Sequence, residues 1–122
     1  MGEAECLRVA QARLEEGDPL GALEVLRRLG PGPRSRATAQ RLLGRAYYHC
    51  AQLDRALEAL RLAVGLDPAD TQARFVLGQT LHRLGRPREA LKHLRIAAAI
   101  SGRPDYQQRV DALVAARGSA AA

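Results

Sequence analysis

Few side chains in this sequence could carry out covalent chemistry. The candidates are three histidines and two cysteines, namely His49, His82, His93, Cys6 and Cys50. The cysteines form no CxxC motif and have no histidine at a metal-ligand spacing, so we expect two free thiols that behave as small buried hydrophobic residues. The sequence contains no HExxH, no GxSxG, no phosphate-binding loop and no GxGxxG. It therefore predicts a protein that is not an enzyme and has neither a cofactor nor a metal site.

Arginine is the remaining side chain with a strong chemical preference. Of the 19 basic residues 18 are Arg, and the formal net charge is +6. Arg binds planar carboxylates and phosphates, although codon usage in a GC-rich genome would also enrich it. Residues 1–18 carry five acids and two bases, whereas residues 19–63 carry eight bases and three acids. An acidic segment followed by a basic one could guide self-association or binding to a partner of mixed charge.

Length and composition restrict the class of protein that positions these side chains. A chain of 122 residues has room for one domain, and 47% hydrophobic residues argue against disorder. Aromatic residues make up only 3%, and β-branched residues are scarce, so a β-sandwich or barrel is disfavoured. No apolar run approaches the length of a membrane span, and no secretory signal begins the sequence. We therefore expect a cytoplasmic protein with an aliphatic, helical core.

A period of 34 residues organises the chain. The pair Leu43-Gly44 recurs as Leu77-Gly78. The same offset relates Ala39 to Ala73, Ala56 to Ala90, Leu60 to Leu94 and Ala63 to Ala97. Such self-similarity is the signature of a repeat architecture. It predicts a single domain, residues 1–122, with repeats over residues 3–36, 37–70 and 71–104, of which the first is degenerate.

Each repeat has the apolar spacing of two helices. In the second repeat we expect Leu43, Gly44 and Tyr47 to face the core. Asp18 and Asp70 are expected to cap the helices that follow them. Pro19 and Pro87 suit the first turn of a helix. The segment Gly30-Pro31-Gly32-Pro33 is expected to form a loop, and Ser101-Gly102-Arg103-Pro104 to end the third repeat.

A seventh helix is predicted over residues 105–117. It would cap the last repeat through one apolar face, made of Tyr106, Val110, Leu113 and Val114. Residues 118–122 are predicted to be a tail.

These residues resemble the tetratricopeptide repeat family. The family pattern Leu-Gly-x2-Tyr…Ala-x3-Leu-x2-Ala…Pro is matched by Leu43, Gly44, Tyr47, Ala56, Leu60, Ala63 and Pro68. The third repeat keeps most of the pattern, with Gly102 in place of the Pro, and Gln40 and Arg74 replace the consensus Trp. The resemblance implies an all-α, right-handed solenoid of three antiparallel helix pairs plus a C-terminal capping helix. It also implies a concave groove, lined by the first helix of each pair, that binds extended peptides or partner helices.

Helical spacing predicts which side chains line that groove. In the first repeat they are Leu7, Gln11, Leu14 and Glu15; in the other two they are Arg41, Arg45, Tyr48, His49, Gln72, Phe75, Gln79, His82 and Arg83. An exposed Phe75 beside arginines is typical of a recognition surface. Arg41 and Arg45 lie one helical turn apart, so we expect them to bind carboxylates. Some family members hold a C-terminal carboxylate with a Lys/Asn clamp, but Val76, Tyr106 and Val110 do not match it.

Several hypotheses about function follow. The leading one is a non-enzymatic adaptor that binds an acidic or extended protein segment in the groove. A second is a self-assembling scaffold, a homo-oligomer built through the repeat edges. Nucleic-acid binding is suggested by a pI of about 10.3, but few aromatic residues interleave with the arginines and no nucleic-acid module is recognisable. A solvated Arg-rich face without partner preference is a further alternative, and no membrane partner is expected.

Overall fold

The structure, a computed structural model, describes residues 2–29 and 36–121. Within them the chain forms seven α-helices and no strand. The helices are α1 (Glu3–Glu15), α2 (Pro19–Arg27), α3 (Arg36–His49), α4 (Leu53–Leu66), α5 (Thr71–Arg83), α6 (Pro87–Ser101) and α7 (Pro104–Ala121). This confirms the predicted all-α architecture. The predicted loop over residues 30–33 lies outside the described residues.

Short local signals define where the helices begin and end. Asp18 caps α2 by accepting a hydrogen bond from the Gly21 amide at 2.9 Å, and Pro19 occupies the first turn. Asp70 caps α5 in the same way, with a 3.0 Å bond from the Ala73 amide. Gly102 ends α6 with φ +67°, a left-handed conformation that suits glycine. These helix boundaries agree with those expected from the sequence.

The helices form two parallel rows. A turn of three residues joins α1 to α2, α3 to α4 and α5 to α6, so the members of each pair pack antiparallel. The helices α1, α3, α5 and α7, the first row, are stacked side by side, whereas α2, α4 and α6 form the second row. Neighbours within the first row pack closely, as α1 does on α3 and α3 on α5, but neighbours in the second row scarcely touch. The stack therefore curves with the first row on its inner, concave side.

Small residues allow the two rows to approach each other. A Cβ atom added to Gly78 would lie 2.6 Å from Cγ of the buried Leu94, and one added to Gly44 would overlap Leu60 in the same way. The glycines of the repeated Leu-Gly pairs thus make room for a leucine of the partner helix. The resulting core is aliphatic, as expected from the composition.

Core positions in α3 differ from the prediction. Leu42 and Ala46 are fully buried, whereas Leu43 and Tyr47 are only half-buried. α2 is shorter than α4, with nine residues against 14. On the equivalent face of α5, which packs against α4, Leu77 and Leu81 are buried.

The C-terminal helix is longer than predicted. α7 continues to Ala121, so residues 118–121 are helical rather than a tail, which agrees with the high helix propensity of alanine. Tyr106, Val110 and Leu113 are buried, but Val114 is 42% exposed because it lies at the margin of the face that packs on α6. Although α7 is the longest of the described helices, neither it nor any of the other six has the length and apolar character needed to cross a membrane.

Candidate binding surface

The side chains on the inner side of the first row form what we call the concave surface. All nine residues predicted to line the groove in the second and third repeats lie on α3 or α5, and each is at least partly exposed. The structure connects several of them to one another or to neighbouring helices, as described below. Among the described residues the side chains of Gln72, Gln79 and His82 form no hydrogen bond, whereas those of Arg74, Thr80 and Arg83, also on α5, do.

Arg41 is not a free cation. Its Nη1 atom donates a 2.9 Å hydrogen bond to Oδ2 of Asp70, in an ion pair whose side chains are 22% and 8% exposed. The other carboxylate oxygen of Asp70 caps α5, so the acid is held in place from both sides. Arg41 is therefore already bound to an acid of its own chain, and its binding to a partner carboxylate stays a prediction. From the sequence, Asp70 is expected only to cap a helix. Nothing in the sequence indicates that it pairs with Arg41, because 29 residues separate the two.

Arg45 lies one turn after Arg41 on α3 and has no ion pair with any described residue. Its side chain is half-buried between neighbouring helices. Burial first, and then the positive charge of Arg41, lower the pKa of Arg45, while Glu15 of α1 and Tyr106 of α7 act in the opposite direction. A partly desolvated guanidinium without a bound acid is well suited to bind a carboxylate of a partner protein.

Phe75 is not the exposed aromatic residue that the sequence suggested. Its ring stacks on that of Tyr106, with 3.9 Å between centroids and an interplanar angle of 7°. The Arg103 guanidinium lies 4.8 Å from the Tyr106 ring centroid. Burial raises the pKa of Tyr106. The two stacked rings hold α7 against α5, so this part of the concave surface also contributes to the packing of the C-terminal helix.

The C-terminal end of α3 gathers the remaining predicted residues. Arg83 donates a 3.4 Å hydrogen bond to the carbonyl of Tyr48, and its guanidinium lies 5.0 Å from the Tyr48 ring centroid. The next residue, His49, is exposed. Burial first, and then Arg45 and Arg83, lower the pKa of His49. These contacts bring Arg45, Tyr48, His49 and Arg83 together at one end of the surface.

The first repeat contributes less than predicted. Leu14 is buried in the core with Cys6 and Ala10 and reaches only the wall of a cavity beside His49. The i, i+4 and i+8 spacing of these residues forms an apolar face, and Leu14 belongs to it. Gln11 and Glu15 remain exposed and are joined by a 3.2 Å hydrogen bond.

A second concavity, which the sequence analysis missed, lies outside the concave surface. A cavity of about 340 Å³ between α3 and α4 is lined by Gln40, Leu43, Tyr47, Arg55, Glu58, Ala59 and Leu62. The Arg55 guanidinium lies 5.9 Å from the Tyr47 ring centroid across it. Gln40, one of the lining residues, stands where the family pattern has a Trp.

The part of the chain that the structure describes holds no cluster of three His, Cys, Asp or Glu side chains that could bind a metal. Both cysteines are free, as predicted; Cys6 is buried and Cys50 half-buried.

Comparisons with known proteins agree with this architecture. The family model described as anaphase-promoting complex, cyclosome, subunit 3, a tetratricopeptide-type repeat family, matches residues 22–97, which is more than half of the chain. The crystal structure of MamA superposes with a TM-score of 0.81 at 22% sequence identity, covering 93% of this chain and 67% of that one. No curated protein matches the sequence. By its family match, its 34-residue period and its paired helices, the chain belongs to the anaphase-promoting complex subunit 3 family of tetratricopeptide-type repeat proteins.

Proposed function

We propose that this protein is a non-enzymatic protein-binding module that holds an acidic segment of its partner against the concave surface. Tetratricopeptide-type repeats generally mediate protein–protein interaction or scaffolding, which supports the general part of the proposal. The specific part, that the bound segment is acidic, rests on the charges of the first-row helices.

The observation that carries the proposal is the state of Arg45. Its neighbour Arg41 is neutralised by Asp70 at 2.9 Å, whereas Arg45 is half-buried and paired with no described acid. A hydrogen bond to a charged group contributes about 1.5–3 kcal/mol where solvent is partly excluded. A partner carboxylate would gain such a bond at Arg45 at a smaller desolvation cost than at a fully solvated arginine.

The test compares two blocked synthetic peptides with Arg45 present and absent. One peptide alternates Glu with Ala, and the other replaces each Glu by Gln, so that they differ in charge alone. We expect only the acidic peptide to bind. Arg45→Gln should weaken its affinity by about tenfold or more, the equivalent of at least ~1.4 kcal/mol.

The matched control is Arg95→Gln, which removes the same charge from an exposed position on α6. We expect it to change the affinity by less than about threefold, because an exposed charge pair contributes little. Equal losses from both variants would mean that net charge rather than the concave surface drives binding. That result would favour non-specific electrostatic association, including association with nucleic acid.

A second candidate function is a self-assembling scaffold. It is favoured by exposed acidic side chains on or beside α1, whose negative charge is opposite to that of Arg45. These are Glu3, Glu5, Glu15 and Glu16. Leu20, on the adjacent α2, is also 68% exposed. Light scattering at increasing salt concentration tests this candidate, because an oligomer held by these charges should dissociate as salt screens them.

A further inference from the structure

The C-terminal part of α3 and the end of α5 bring together two arginines that both act on one titratable ring, that of His49. Arg45 and His49 lie one helical turn apart on α3. Arg83 comes from α5 and is held beside them, because it donates to the carbonyl of Tyr48 and lies over the Tyr48 ring. Neither arginine forms an ion pair with a described residue, so the cluster has an excess of positive charge.

The charged groups around His49 can be assigned element by element. α3 presents Arg45 and α5 presents Arg83, and these two act on the ring. α1 presents Glu15, whose charge acts on Arg45 rather than on His49. In the described parts of α2 and α4, which also pack against α3, no charged side chain acts on the ring. No acid among the described residues therefore stabilises a protonated His49 in the unbound protein.

There is space beside the ring for a ligand. His49 lines a cavity of about 260 Å³ whose other walls are Leu14, Gly17 and Pro19, from the end of α1 and the start of α2. The lining residues other than His49 are uncharged, and Arg45 and Arg83 act on the ring from outside the cavity. The depressed pKa of His49 is consistent with this arrangement, since burial and both arginines disfavour its cationic form.

We propose that this cluster is a proton-coupled anion subsite, in which a carboxylate of the bound acidic segment docks between Arg45 and Arg83 and His49 takes up one proton from solvent. The inference rests on the proposed function and adds His49 as the group that makes binding of the acidic segment depend on pH. The bound carboxylate supplies the negative charge that the site lacks, so the imidazolium becomes favourable only in the complex. By thermodynamic linkage, a carboxylate whose binding favours protonation of His49 is bound more tightly when His49 is already protonated.

The experiment is isothermal titration of the blocked Glu–Ala peptide at about pH 7.5 and about pH 5.5, a range in which the peptide carboxylates stay largely ionised. We expect the affinity to rise by about fivefold or more on going to the lower pH, with a limit of tenfold per pH unit for one coupled proton. Titration in two buffers that differ in ionisation enthalpy should show net proton uptake on binding. A fivefold change over two pH units corresponds to about 0.35 proton per peptide on average, and the uptake approaches one proton as the change approaches its limit.

Two histidine variants separate the subsite from general effects of pH. His49→Gln should bind the peptide with an affinity that no longer changes with pH. His93→Gln, on α6 and outside the concave surface, should keep the full pH dependence. As an independent readout, the NMR titration of the His49 ring should give a higher pKa in the complex than in the free protein.

The outcomes distinguish this inference from the proposed function. If the acidic peptide binds but the pH dependence survives in His49→Gln, or the pKa of His49 is unchanged by saturating peptide, the subsite is refuted and the binding module stands. If the acidic and the Gln-containing peptides bind equally, or neither binds, both proposals are refuted.

Discussion

Asp70 and Arg41 offer a direct test of how burial sets the strength of an ion pair in this protein. We predict that the pair couples α3 to the start of α5, and that a double-mutant cycle will detect this coupling. The substitutions are Asp70→Asn and Arg41→Gln, singly and together. Asn caps helices nearly as well as Asp, so Asp70→Asn should keep the hydrogen bond from the Ala73 amide and remove only the charge.

The expected magnitude follows from the exposure of the two side chains. Asp70 is 8% and Arg41 22% exposed, and their 2.9 Å bond joins two charged groups. A bond of this kind contributes about 1.5–3 kcal/mol, and removing one partner leaves the other desolvated and unpaired. We expect each single substitution to lower the free energy of unfolding by about 1.5–3 kcal/mol. The double variant should lose little more, which gives a coupling energy of about 1–3 kcal/mol.

The matched control is a second Arg–Asp pair in a different environment. Arg103 and Asp105 form two hydrogen bonds of 3.0 Å, but their side chains are 57% and 58% exposed. Solvent screens such a pair, so its cycle, with Arg103→Gln and Asp105→Asn, should show no coupling beyond experimental error. The geometry of this surface pair is at least as good as that of the buried one, so the comparison isolates the effect of burial.

The assay is urea denaturation followed by far-UV circular dichroism, with all variants measured at one salt concentration. Equal coupling in the two pairs would refute the argument from burial. An Asp70→Asn protein as stable as the unmodified one would show that Arg41 is not held by Asp70. Arg41 would then return as a candidate anchor for a partner carboxylate beside Arg45.

Two further predictions concern stability. Gly78→Ala should lower the free energy of unfolding by about 1–2 kcal/mol, because overpacking against Leu94, 2.6 Å from the new Cβ, outweighs the gain in helix propensity. Gly65→Ala in α4, with no atom within 4 Å of the new Cβ, should raise the free energy of unfolding by up to about 1 kcal/mol. The opposite ranking of the two variants in urea denaturation would show that the core accommodates the methyl group at Gly78. Burial and Arg74 lower the pKa of His93, so the unfolded chain binds more protons and stability should fall as pH drops below about 6.5. His93→Gln should reduce that slope in thermal melts, and an unchanged slope would contradict the assignment to His93.

The sequence alone was sufficient for the architecture of this protein. The 34-residue period relates Gly44 to Gly78 and Leu60 to Leu94, and in the structure the two glycines meet the two leucines in the same way. Caps such as Asp18, with its following Pro19, could be identified because a helix end is decided by two or three neighbouring residues. The number of helices follows for the same reason, since each depends on an apolar spacing within a single segment of chain.

The state of the candidate site was decided by the tertiary structure. Arg41 and Arg45 are equivalent in the sequence, one turn apart on one helix, but only Arg41 meets the carboxylate of Asp70. Phe75 has the spacing of an exposed groove residue, but the capping helix brings Tyr106 to within 3.9 Å of its ring. Helical periodicity specifies which direction a side chain points. Whether that side chain is free, paired or covered depends on residues about 30 positions away, and packing of the helices alone brings those residues together.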